Sequence, residues 1–103
     1  MIDATTRVDT SGRVHAWAAG NDYRCAWLAE CVGRHTHGDW GTLDDHDHAA
    51  NTQAITTGTG RIVSAYPVPG HLAGANPDPA VWIITDDLDD PNPATTILWP
   101  SDY

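Results

Sequence analysis

Arg61-Ile62-Val63-Ser64-Ala65-Tyr66-Pro67-Val68, Ala80-Val81-Trp82-Ile83-Ile84-Thr85-Asp86 and Ala94-Thr95-Thr96-Ile97-Leu98-Trp99 decide the fold class of this 103-residue chain. Each is of strand length, rich in β-branched and aromatic residues and bounded by Pro, Gly or Asp clusters, the composition of a pleated, half-buried surface. The first alternates Ile62, Ser64 and Tyr66 against Val63 and Ala65, and Pro67 marks its end because proline cannot donate to a ladder. The stretches between them, 69–79 and 87–93, are longer than two-residue hairpin turns, and the second is strongly acidic. The pattern predicts a three-stranded antiparallel meander.

Upstream, the apolar period changes. Trp27, Leu28, Cys31, Val32 and His35 recur at three- and four-residue steps, so a helix spans Tyr23 to His35 with Asn21 or Asp22 as its N-cap. It ends near Gly38, where two glycines surround Trp40. Thr42-Leu43-Asp44-Asp45 has capping-box spacing and opens a second helix, with Leu43, Ala50, Ala54 and His46 or Asp47 on a weak inward stripe, running to Gly58-Thr59-Gly60. In the first twenty residues, Ser11-Gly12 reads as a turn between Arg7-Val8 and Arg13 to Trp17, giving a hairpin or an edge strand; residues 1–20 are the least defined part of the chain. The expectation is therefore one α+β domain over 1–103, with two helices on one face of the three-stranded sheet and an optional N-terminal strand or hairpin.

At this length two full domains do not fit, and 41% hydrophobic residues with five tryptophans suffice for a core. No apolar run approaches the roughly 20 residues that span a bilayer, and the start carries no basic-then-apolar signal pattern, so a soluble cytoplasmic protein is expected. Fourteen acidic residues face five basic ones, all Arg, for a net charge of −9. Residues 1–34 balance, with four acids and four arginines, so the whole excess lies beyond Arg34. Phosphate binding depends on Lys and Arg displacing counterions, so direct nucleic acid binding is disfavoured, whereas basic partners or cations are attracted. Solubility alone accounts for such acidity equally well.

Several clusters suggest chemistry. His35-Thr36-His37-Gly38-Asp39 and Asp44-Asp45-His46-Asp47-His48 put four imidazoles and four carboxylates in fourteen residues, the ligand types of zinc and other divalent transition metals. His46 and His48 point about 200° apart on a helix and cannot share an ion, which leaves His35, His37, Asp39 and His46 as the candidate metal set. Exposed or capping histidines on a solvated acidic face are the competing account. Ser64 lacks a nucleophile elbow and Gly58-Thr59-Gly60 precedes a strand rather than opening a helix, so nothing requires a catalytic residue. Asp86-Asp87-Leu88-Asp89-Asp90 lacks the ligand spacing, glycine and terminal Glu of an EF-hand. Cys25 and Cys31 sit some 120° apart on their helix and read as buried, reduced thiols. Trp82 reads as a core anchor, and Trp40, if its turn is exposed, as a contact hot spot.

His35…Gly38-Asp39-Trp40-Gly41-x-Leu43-Asp44, Ala50-Asn51…Ala54, Gly60-Arg61-Ile62-Val63-Ser64-Ala65-Tyr66, Val81-Trp82-Ile83-Ile84-Thr85 and Thr95-Thr96-Ile97-Leu98-x-Pro100-Ser101-x-Tyr103 together resemble a group of small bacterial proteins carried on plasmids and other mobile elements. Members mostly have no assigned activity, and some bear a restriction-modification label. The likeness covers about residues 34–103, and this chain departs from it in its longer, more acidic connections before Val81 and after Asp86. No catalytic residues carry over.

Two function classes follow. The first is an acidic protein-binding module of a mobile element, in which Asp44, Asp45, Asp47, Asp86, Asp87, Asp89 and Asp90, with Trp40, imitate a nucleic acid backbone and occupy the basic groove of a host defence complex of restriction or CRISPR type. The second is a small metal-dependent enzyme or metal-binding protein using His35, His37, Asp39 and His46 with zinc or another divalent ion.

Overall fold

The computed structural model describes residues 7–76 and 78–103. Residues 62–67, 80–85 and 95–98 form strands β2 (Ile62–Pro67), β3 (Ala80–Thr85) and β4 (Thr95–Leu98), joined as the expected antiparallel meander. A further strand, β1 (Val8–Thr10), lies parallel to β4, so the sheet is mixed and four-stranded in the order β1-β4-β3-β2. The helices are α1 (Gly12–Ala18), α2 (Asp22–Thr36), α3 (Asp45–Thr57) and the single turn α4 (Gly70–Ala73), with a 3₁₀ turn at Pro100–Asp102.

The region read as least defined therefore contains a strand and a helix, apart from residues 1–6, which lie outside the described residues. Ser11 is the reason for the helix: its hydroxyl accepts from the Val14 amide at 3.2 Å, capping α1 rather than closing a hairpin. Val14 and Ala18, four residues apart, then enter the core together. Arg13 ties α1 to the far end of the chain through Asp102 at 2.9 Å.

α2 keeps its expected stripe, burying Leu28, Cys31 and His35, with Asn21 accepting from the Arg24 amide. α1 and α2 cover one face of the sheet, and the core forms there between Val14, Leu28, Cys31, Tyr66, Ile83 and Ile97. Trp99 is sealed beneath this layer, edge-on to Trp17 at 5.1 Å. Cys31 is buried, and desolvation pushes its thiol up to about 12, whereas Cys25 is exposed, contrary to its expected burial.

α3 does not share that face. It starts two residues later than its capping-box reading, with Asp44 rather than Thr42 as N-cap, accepting from the Asp47 amide at 2.8 Å. Thr42 is used differently: its amide donates to Ala65 O at 2.9 Å, while Ala65 N donates to Trp40 O at 3.1 Å. The segment 40–42 thus covers part of the outer edge of β2. Asn51 of α3 covers the rest, its amide donating to Val63 O at 2.7 Å and accepting from Val63 N at 3.0 Å. An edge that would otherwise invite a foreign strand is closed by one side chain and one short segment. Gly41 must be glycine here, since φ is +77° and a Cβ would lie 1.9 Å from Ala65 O.

Candidate functional site

With α1 and α2 on one face and α3 beside β2, the other face of the sheet is left as a groove of about 580 Å³. Val63, Ala65, Trp82 and Ile84 form its floor, the even–odd alternation of β2 and β3 having sent their partners into the core. Asp44, Asp47 and Asn51 line it from α3, and Arg61 and Tyr103 close one end. Trp82 is thus half-buried in this groove rather than an anchor of the main core, edge-on to Tyr103 at 5.7 Å.

Arg61 organises the charges. Its guanidinium donates to the Tyr103 hydroxyl and lies 5.5 Å from that ring centroid. The Tyr103 hydroxyl above all, together with the carboxylates of Asp86 and Asp47, raises its pKa further above the ordinary arginine value. One member of each aspartate group, Asp47 and Asp86, thus lies near enough to Arg61 to act on its charge, without forming an ion pair to it. Asp47 approaches from α3, and Asp86 follows Thr85, the β3 partner of Ile62. Leu88 N donates to Gly60 O at 3.0 Å, which holds the 86–90 loop beside the start of β2.

All seven aspartates are exposed. Asp44 is partly committed as a helix cap, and Asp90 accepts from Asn92 N at 2.8 Å within its turn. Asp45, Asp47, Asp86, Asp87 and Asp89 make no side-chain hydrogen bond or ion pair among the described residues. Trp40, the eighth residue of the expected contact surface, is corrected: it is 8% exposed, packs edge-on to His48 at 4.9 Å, and uses its carbonyl to pair with β2. It supports the edge and offers no free ring to a partner.

The candidate metal set is not brought together. His35 is 1% exposed inside the core, Nδ1 on Ser64 Oγ at 2.5 Å and Nε2 on Thr85 Oγ1 at 2.8 Å. Thr85 Oγ1 continues the chain to Thr95 Oγ1 at 2.7 Å. Both ring nitrogens are occupied, and burial pushes the imidazole down to about 4, so it is neutral at pH 7. His37 instead bonds Gly33 O through Nδ1 at 2.7 Å. Asp39 is paired to Arg34 at 2.7 Å, and this hydrogen bond holds its carboxyl below the usual range. His46 is exposed on α3. Among the described residues no group of three His, Cys, Asp or Glu side chains is arranged to hold an ion. The His35–Ser64 contact is sealed from solvent and has no acid partner, so it pins α2 to the sheet rather than activating a hydroxyl.

Arg61, Trp82 and Tyr103 are the site residues that the sequence reading did not assign to a surface. The available signal was Arg61, the sole basic residue beyond position 34, placed at the start of a strand. No protein-family model, curated protein or solved structure matches the chain. Among the described residues no helix is long and apolar enough to cross a membrane.

Proposed function

We infer that this protein is a binding module whose acidic face engages a cationic protein surface. The observation that carries the reading is an aromatic-floored groove lined by Asp44 and Asp47, with exposed, unpaired carboxylates from both aspartate groups, Asp47 and Asp86, acting on Arg61 at its end. Partner arginine or lysine side chains would meet carboxylates at the rim and the aromatic floor residue Trp82 within, both favourable to a guanidinium or ammonium group. Basic surfaces of this kind are common on proteins that hold nucleic acid. The finer reading is that the carboxylates take the place of phosphates in the groove of a defence effector, as part of a mobile element of the group its motifs resemble.

The test is binding of the full chain to an arginine- and lysine-rich nucleic-acid-binding protein, followed by calorimetry from 50 to 500 mM salt. Affinity should fall steeply with salt, and replacing Asp45, Asp47, Asp86, Asp87 and Asp89 with asparagine should weaken it by at least tenfold while the thermal transition is retained. Binding indifferent to both salt and these replacements refutes the reading.

A further inference from the structure

At the end of the sheet opposite α3, nothing among the described residues covers β1. Arg7 O accepts from Thr95 N at 2.9 Å and Ser11 N donates to Ile97 O at 2.8 Å, so the odd-numbered residues of this segment bond to β4. In a parallel ladder that turns the N–H and C=O of Val8 and Thr10 outward. These two side chains lie on the α1/α2 face, where they and Ile97 form one wall of an apolar channel of about 430 Å³. Cys25, Leu28, Ala29 and Val32 of α2 form its roof. Along this channel Cys25 and Ala29 of α2 stay exposed and Val8 is 42% exposed.

We propose that β1 is the seam of a symmetric dimer in which two copies pair their β1 strands antiparallel, Val8 opposite Val8, to form a continuous eight-stranded sheet.

The charges choose this occupant. Arg7 and Asp9 lie on the opposite face from Val8 and already pair within the strand at 3.1 Å. Charged residues on an edge ordinarily repel strand addition. In a register centred on Val8, however, each Arg7 stands opposite the partner's Asp9, so the pattern is self-complementary and makes a closed square of four alternating charges. A register centred on Asp9 would set the two aspartates against each other. On the other face the two Val8 side chains meet beside the apolar channel that each of them lines.

The experiment is sedimentation equilibrium of the full chain, with two charge variants. Wild type should sediment as a dimer at micromolar concentration. Arg7→Asp and Asp9→Arg each place like charges across the seam, so each should be a folded monomer by sedimentation and circular dichroism. Mixed in equal amounts they should form a heterodimer, and the double variant Arg7→Asp/Asp9→Arg should dimerise again. A monomeric wild type at hundreds of micromolar overturns the proposal, as does dimerisation that both single variants leave unchanged or a mixture that fails to associate. Because no acidic-face residue is altered, the outcome is independent of the partner-binding reading.

Discussion

His35 makes acid stability a direct readout of the buried network. In the folded protein burial lowers its pKa from 6.5 to about 4, whereas the unfolded chain keeps the ordinary value. Between those values the unfolded state binds one more proton than the folded state, so stability rises with pH across the window. The contribution is fully present above pH 6.5 and is lost progressively as the pH falls toward 4. At about 1.36 kcal/mol per pH unit, roughly 2 kcal/mol is gone by pH 5 and about 3 kcal/mol by pH 4. That is a large part of the about 5–15 kcal/mol that stabilises a typical domain. Protonation also removes the ring's acceptor, so one of the Ser64 and Thr85 hydroxyls must turn away from it inside a dry core. Urea titrations of wild type and His35→Gln at half-unit steps from pH 7.5 to 5 isolate the effect, since the amide offers a donor and an acceptor but no titration. The wild-type midpoint should fall by about 1–2 M relative to the variant's own change over this range. Asp39, whose carboxyl is held low by Arg34, loses its contribution only below the usual carboxylate range, outside this window. Parallel curves for the two proteins would refute a neutral, buried imidazole.

Two further predictions concern the closed edge of β2. Asn51→Ala strips Val63 of a donor and an acceptor partner at once and should cost about 1–3 kcal/mol by chemical denaturation, with a gain in aggregation rate as the edge is opened. Gly41→Ala forces a Cβ onto Ala65 O in a left-handed backbone, so it should lower the thermal midpoint more than alanine at Gly12 or Gly33, where nothing lies within 4 Å; equal effects at the three positions would contradict the 40–42 pairing.

What was legible in the sequence follows the range over which each pattern acts. β2, β3, β4 and α2 were readable within one or two residues because each carries its own period, and Asn21 and Gly58 punctuate the helices locally. β1 was readable only as an optional edge strand near Arg7-Val8, because three residues have no period and its partner, Thr95 opposite Val8, lies far along the chain. Ser11-Gly12 is chemically both a turn and a cap, and only the burial of Val14 and Ala18 decides between them. α3 was found but misplaced: its principal inward residue is a polar one, Asn51, held by backbone hydrogen bonds that a hydrophobic stripe cannot register. The histidine cluster misled for a similar reason. His35 belonged to the apolar stripe with Leu28 and Cys31, and that periodicity outweighed its adjacency to His37 and Asp39. The aspartates were legible as exposed residues, but that Asp86 comes near Arg61 depends on the pairing of Ile62 with Thr85.

The two proposals place their surfaces at opposite ends of one sheet, since β1 is one edge and β2 the other. A two-fold axis normal to the sheet at Val8 would keep both aromatic-floored grooves open on the same side, and the six strand-to-strand steps between their β2/β3 floors, each about 4.8 Å, would set them roughly 29 Å apart before twist. Strand pairing at β1 would leave every carboxylate of the groove free, so dimerisation and partner binding would not compete. A receptor carrying two cationic patches at that spacing would be held by both, and its second contact would form at the effective concentration fixed by a rigid sheet rather than a flexible linker. Affinity would then depend on Arg7 and Asp9, residues that touch no partner, as well as on the aspartates that do.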